Sequence, residues 1–303
     1  MSLPVNGEIP VKSRRRAGRL LILMPLLFLA ACAGRSALER GQHMDNLATT
    51  GHWHKLRLPV TPFVLTAYVP NTPMPPATNK VLTVYIEGDG LAWRTRSRAS
   101  DNPTPGKPIG LEMAMRHPAG AVAYLARPCQ NVAEPDWPGC QQSYWTDRRY
   151  STEVVRASSE ALTMLKARYG AERLILVGYS GGAAVAALVA ARRQDVARVV
   201  TVAGNLDIHA WTTRHRIQPL SGSLNPADEW DRLQGISQLH FVGGKDPVIS
   251  PELVSAYIRR FPAGSRPRMR ILPDFDHACC WVEQWPELSQ EAVSLPGSGD
   301  PAR

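Results

Sequence analysis

The chain has 303 residues, 35 of them basic and 26 acidic, for a formal net charge of +9. Residues 1–31 hold five basic and one acidic residue, so the remainder carries only +5, and nothing in it resembles a nucleic-acid module. That remainder, about 270 residues, can bury one substantial core; it shows no repeat, no phosphate loop and no Cys/His spacing for zinc, and the expectation is chemistry without a metal or organic cofactor.

At the N-terminus, Lys12, Arg14, Arg15, Arg16 and Arg19 precede an apolar run that ends in Leu29-Ala30-Ala31-Cys32. An apolar stretch of about twelve residues is too short to cross a bilayer, which takes ~20, and suits a signal peptide. Residues 1–31 therefore read as a lipoprotein signal, with Cys32 as the lipidated first residue of the mature protein. Several acyl chains on one cysteine hold a protein to a membrane more firmly than one. The following Ala33 is not the aspartate that favours inner-membrane retention, so the expected address is the bacterial outer membrane, facing the periplasm. Residues 32–52 read as a tether, 53–295 as the folded domain and 296–303 as a loose tail, with a Pro-rich connection over 71–79.

Two antiparallel strands are expected within residues 53–69, a third over 81–86 and a fourth over 121–125. Ser151 is placed to cap a helix that Gly170 stops, with Val154, Ala161, Leu162 and Leu165 on its inward side. The run Arg173-Leu174-Ile175-Leu176-Val177 has the continuous apolar character of a strand covered on both faces. It leads through Gly178-Tyr179-Ser180-Gly181-Gly182 into an Ala/Val/Leu helix. Strand, sharp turn and helix around G-x-S-x-G form a nucleophile elbow, with the serine exposed on a strained backbone; the alternative is a Gly-rich turn with an idle serine. Further strands are expected at 199–203, 238–242 and 268–272. A helix starts at Ser250-Pro251-Glu252, and residues 208–230 are long enough for a small cap.

A serine hydroxyl is unreactive until a neighbour takes its proton, so Ser180 needs a base and an orienting acid. Asp246 follows the strand at 238–242 and His277 follows the strand at 268–272. The order Ser180, Asp246, His277 is that of nucleophile, acid and base in α/β-hydrolases, each at the C-terminal end of its own strand. The other seven histidines fit this position worse. Asp207 competes for the acid, because it follows the strand at 199–203. An oxyanion hole needs two backbone N–H groups. Gly181 offers one, and the loop Glu87-Gly88-Asp89-Gly90 the other, from Asp89 first or Gly90 second. Carboxylates at 87 and 89 would repel an oxyanion if they pointed inward. They are expected to turn away, Asp89 by accepting the N–H of Leu91 in an Asx-type turn.

With its elbow and ordered Asp and His, the chain resembles an α/β-hydrolase over residues 58–285. It is most similar to bacterial envelope lipoproteins of that fold that carry E-G-D-G-x-x-W, R-P-C-Q and F-D-H motifs, here Glu87 to Trp93, Arg127 to Gln130 and Phe275 to His277. The resemblance implies a mostly parallel, doubly wound α/β sheet with helices on both faces and at most a small cap. It also implies serine-hydrolase chemistry without saying which acyl group is moved, since one fold hosts many activities.

An oxidising envelope permits disulfides. Cys129 and Cys140 bracket a short loop and are the expected pair, whereas the partners of the adjacent Cys279 and Cys280 stay open. Trp93, Trp145, Trp211 and Trp281 fall in loops near the expected mouth, as aromatic walls or as core edges. Arg94, Arg96 and Arg98 form a basic cluster that reads first as a solvated run, or else meets an anionic substrate or lipid headgroups. The leading functional reading is a lipid-anchored serine hydrolase acting on a carboxylic ester or thioester through an acyl-enzyme. The competing readings are a peptidase or acyltransferase variant, and a catalytically silent envelope binding or scaffold protein.

Overall fold

A computed structural model of the protein describes residues 35–71 and 80–294. The signal segment with Cys32, the connection at 72–79 and the tail at 296–303 lie outside the described residues. Eight strands form one sheet: β1 (Trp53–Val60), β2 (Phe63–Pro70), β3 (Val81–Ile86), β4 (Ala121–Leu125), β5 (Arg173–Tyr179), β6 (Val196–Val202), β7 (Ser237–Gly243) and β8 (Arg268–Leu272). Their spatial order is β1-β2-β4-β3-β5-β6-β7-β8. The pairs β1/β2 and β2/β4 are antiparallel and every other pair is parallel.

The strand sequences explain the layers. On β5, Leu174 and Leu176 face one core while Ile175 and Val177 face the other, so a continuous apolar run serves a sheet covered on both sides. The first core packs under α3 (Thr152–Arg168), α4 (Gly181–Ala190) and α7 (Pro251–Ile258). The second packs under α1 (Ala37–Thr50), α2 (Ile109–Ala114) and α8 (Trp281–Val293). Ser151 caps α3 by accepting the N–H of Val154. Every residue of α4 is buried, as its Ala/Val/Leu composition requires.

Two expectations need correction. Residues 37–50, read as part of a tether, form α1. A capping box joins Ser36 and Glu39, Met44 and Ala48 are buried, and Arg40 is buried with its Nε donating to the Thr104 carbonyl at 2.7 Å. The helix is polar overall and leaves Leu38 exposed, but Met44, Leu47 and Ala48 pack on the second core and each nitrogen of the Arg40 guanidinium donates to a backbone carbonyl. The segment 208–230, read as a cap, holds α5 (Ile208–His215) and a short 3-10 turn before α6 (Trp230–Leu233). It is tied to the body, with Leu224 N–H donating to the Tyr150 carbonyl and His215 bonding the Val248 carbonyl. None of its residues lines the cleft described next.

Candidate active site

Ser180 joins β5 to α4 with φ 50° and ψ −119°, a left-handed conformation that costs a non-glycine residue about 1–3 kcal/mol. Its neighbours hold it there. The Ser180 N–H donates to the Val202 carbonyl at 2.9 Å, and the Ser180 carbonyl accepts from Ala183 and Asn205, each at 3.1 Å. The flanking glycines are required by close approach. A Cβ on Gly178 would lie 2.5 Å from Ala183 Cα, and one on Gly182 would lie 2.3 Å from the Ile86 carbonyl.

Ser180 Oγ lies 3.0 Å from His277 Nε2, and His277 Nδ1 lies 2.8 Å from Asp246 Oδ2. Topology makes this possible. β7 and β8 are adjacent, and their C-terminal loops are tied by Gly244 N–H to the Leu272 carbonyl and Lys245 N–H to the Phe275 carbonyl. Asp246 is buried, and its second oxygen accepts the N–H groups of Val248 and Ile249 at 2.7 and 2.8 Å. The carboxylate is thereby aimed at His277 and fixes the tautomer with a proton on Nδ1, which leaves Nε2 to accept from Ser180. Tyr179 Oη donates to the His277 carbonyl at 2.9 Å and ties down the backbone that carries the imidazole.

The competing acid is occupied elsewhere. Asp207 caps α5 by accepting the Ala210 N–H at 3.1 Å, and it pairs with Arg260 at 3.0 Å. The remaining histidines are also placed away from Ser180. His240, inside β7, bonds Thr201 at 2.8 Å, and burial pushes its pKa down to about 3. His117 meets Tyr85 Oη, and burial pushes it down to about 4.

Across from Ser180 runs the loop 87–91. The N–H groups of Asp89 and Gly90 have no acceptor among the described residues, and that of Gly181, first in α4, has none within its helix. Both carboxylates turn away, but not by the expected route. The Leu91 N–H donates to the Pro103 carbonyl at 3.0 Å, so no Asx-type turn forms at Asp89. The Asp89 carboxylate is held instead by Arg127 at 3.0 Å, Arg149 at 2.7 Å and Tyr150 Oη at 3.0 Å. Burial alone would raise this carboxyl, but the charges of Arg149 and Arg127 outweigh it and hold it below the ordinary carboxylate range. Glu87 is buried and accepts the N–H groups of Gly88, Gly110 and Leu111 and the Tyr124 hydroxyl; burial pushes its pKa up to about 7 despite those donors. Gly90 is required at its own position. It has φ 65°, and a Cβ there would lie 2.0 Å from the Pro103 carbonyl oxygen.

Sequence reasoning gave no role to Arg149 and Tyr150, which no motif flags, or to Arg127 and Gln130 within R-P-C-Q. Gln130 Nε2 donates to the Gly88 carbonyl at 2.9 Å, and Arg127 Nη2 donates to the Arg149 carbonyl. Cys129, between Arg127 and Gln130, is bonded to Cys140, so the disulfide braces the turn that clamps the loop 87–91. Cys279 and Cys280 are bonded to each other, which leaves no cross-pairing with the first pair.

The cleft at Ser180 has a volume of about 290 Å³ and is walled by the loop 87–91, residues 105–107, Ile109, Tyr179, His277 and Ala278. The four expected tryptophans do not line it. Trp145 and Trp281 are buried struts whose indole N–H groups donate to the Ser100 and Asp276 carbonyls, and Trp93 is 42% exposed on a hairpin. No group of His, Cys, Asp and Glu among the described residues is arranged to hold a metal.

A sequence profile of the alpha/beta hydrolase fold matches residues 110–236. No curated protein sequence matches the chain. Similar solved structures include a candidate dienelactone hydrolase from Klebsiella pneumoniae, at 17% identity and TM-score 0.54, covering 79% of this chain and 95% of that one. An esterase from Pyrococcus furiosus is similar at 13% identity and TM-score 0.55, covering 80% and 89%. A serine hydrolase without a lid from Xanthomonas campestris is similar at 17% identity and TM-score 0.50, covering 82% and 96%. At such identities the likeness is one of fold.

Proposed function

With the α/β-hydrolase fold as premise, we propose that this protein is a serine hydrolase that cleaves a carboxylic ester or thioester through an acyl-enzyme intermediate. The observation that carries the reading is the continuous chain from Ser180 Oγ through His277 to Asp246, at 3.0 and 2.8 Å, facing unpaired N–H groups across a cleft. The substrate carbonyl carbon sits against Ser180 Oγ, with its oxygen toward the N–H of Gly181 and that of Asp89 or Gly90. His277 Nε2 takes the Oγ proton as the Oγ–carbon bond forms, and the N–H groups stabilise the oxyanion. Asp246 stabilises the resulting imidazolium. Collapse breaks the bond to the alcohol or thiol, which leaves with the proton from His277. Water then enters, gives its proton to His277 and attacks the acyl carbon. Ser180 departs with that proton, and the carboxylic acid is released.

The acidic residues of the loop 87–91 are the motive for a silent scaffold reading, and their engagement by Arg127, Arg149, Tyr150 and the N-terminus of α2 supports the enzyme reading instead. A fluorophosphonate probe is expected to label the purified protein at Ser180, and Ser180→Ala to lose labelling while remaining folded by circular dichroism. Equal labelling of that variant would move the nucleophile elsewhere, and labelling of neither protein would return the scaffold reading.

The proposed address is the bacterial envelope, with Cys32 lipidated and the domain held at the outer membrane. Its support is the basic, apolar and Leu29-Ala30-Ala31-Cys32 sequence pattern. Intact mass should show a mature chain that begins at Cys32 with acyl mass added. A different N-terminus without acyl mass would remove the anchor.

A further inference from the structure

Of the charged side chains that line the cleft, all but one are engaged by other groups of the protein. Glu87 is buried and accepts four hydrogen bonds, and Asp89 is paired with two guanidinium groups. Asp246, behind the base, is spent on His277 and two backbone N–H groups. Lys107 is the exception: it lines the cleft, is exposed, and its ammonium has no carboxylate or carbonyl partner among the described residues. Pro108 follows it directly and limits the backbone there, and α2 begins at Ile109 with the Gly110 N–H on the Glu87 carboxylate, so Lys107 is braced on its C-terminal side.

Arginines accompany the same cleft. The Asp89 cluster holds one carboxylate against two arginines and is a net cation beneath the loop. The hairpin that leaves the cleft after Leu91 carries Arg94, Arg96 and Arg98, all exposed, and among the described residues only Arg94 has an acidic neighbour, Asp101 at 3.7 Å. Excess positive charge around a cleft raises the local concentration of anions and speeds their arrival.

Building on the serine-hydrolase reading, we propose that Lys107 forms an anion-binding subsite and that the substrate is an ester or thioester bearing a carboxylate or phosphate group. The ammonium pairs with that group while the carbonyl lies at Ser180. A partly exposed charge pair is screened by salt, so the preference for charged substrates weakens as ionic strength rises.

The test compares three activated esters of one acyl length: neutral p-nitrophenyl pentanoate, mono-p-nitrophenyl glutarate with its charge on the acyl side, and 3-carboxy-4-nitrophenyl pentanoate with its charge on the alcohol side. For at least one charged ester, the kcat/KM ratio to the neutral ester is expected to fall about tenfold in Lys107→Met. It should fall further in Lys107→Glu, be largely restored in Lys107→Arg, and shrink at high salt in the wild type. The charged ester that responds identifies the side of the scissile bond that faces Lys107. Ratios unchanged for both charged esters would overturn the subsite while leaving the hydrolase reading intact. If the wild type hydrolyses none of the three, it is the hydrolase reading that fails. Calorimetric binding of monomethyl glutarate to Ser180→Ala protein, with and without Lys107→Met, then decides the subsite: weaker binding with Lys107→Met supports it, and equal or absent binding overturns it.

Discussion

The Ser180 side of the cleft is built from side chains delivered by the ends of β5, β7 and β8, whereas the facing loop 87–91 offers backbone N–H groups that are usable only because distant side chains restrain its carboxylates. On the first side each residue is fixed by its own strand end and a few local bonds, as Asp246 is by the N–H groups of Val248 and Ile249. On the second, Asp89 depends on Arg127 and Arg149, 38 and 60 residues away in the chain. An active site can thus be local in chemistry on one wall and dispersed in support on the other, and substitutions should separate the two.

The largest effect is expected on the first wall. Asp246→Asn should lower turnover of an activated ester by about 10⁴ with folding intact, because the histidine then favours the wrong tautomer. Asp207→Asn, at a helix cap paired with Arg260, should change turnover by no more than about tenfold. The reverse ranking in steady-state kinetics would make Asp207 the acid.

Next comes Glu87, where the sign is unusual for a carboxylate. Its pKa is raised from 4.5 to about 7 by burial, so below about pH 4.5 it is protonated in both native and unfolded chains. Between there and about pH 7 the native state keeps a proton that the unfolded state gives up, and stability falls as pH rises, by about 3 kcal/mol in total. Glu87→Gln removes this titration and should flatten that part of the urea-unfolding profile relative to wild type. Parallel profiles would show that Glu87 is ionised throughout.

The smallest effect concerns the clamp, and a second substitution sharpens it. Arg149→Met leaves Asp89 with one guanidinium and should lower kcat about tenfold with KM little changed, less than deletion of an oxyanion donor. Adding Asp89→Asn removes the charge that needed neutralising and should recover most of kcat. A purely structural role for Arg149 predicts no recovery.

What the sequence carried follows the same division. Ser180, Asp246 and His277 were legible because each residue type closes its own predicted strand, and because glycines at 178 and 182 mark the close approach of the elbow to its neighbours. The parallel sheet was legible from apolar runs such as 173–177. The Asp89 clamp was not, because an arginine 60 residues away has no local pattern. An Asx-type turn is a local answer, and the Pro103 carbonyl, another distant group, takes the Leu91 N–H instead. The tryptophans were left between aromatic walls and core edges because the sequence does not reveal where an indole N–H finds its acceptor, and Trp145 and Trp281 find theirs inside, as core edges. α1 did announce itself: Ser36 and Glu39 form an S-x-x-E capping pattern that reading the segment as a tether passed over. The segment 208–230 had the length for a cap, but length alone does not distinguish a cap from a strap fastened to the body through Tyr150 and Val248.

The central claim is that both walls serve one acyl transfer at Ser180. Rapid mixing with p-nitrophenyl pentanoate, followed by acid quench and peptide mass spectrometry, tests it directly. The account predicts a pentanoyl adduct on the peptide containing Ser180, formed in step with p-nitrophenolate release, absent from Ser180→Ala and formed about 10⁴ more slowly in Asp246→Asn. Ester hydrolysis that persists in Ser180→Ala, or an adduct mapped to any other residue, would contradict it.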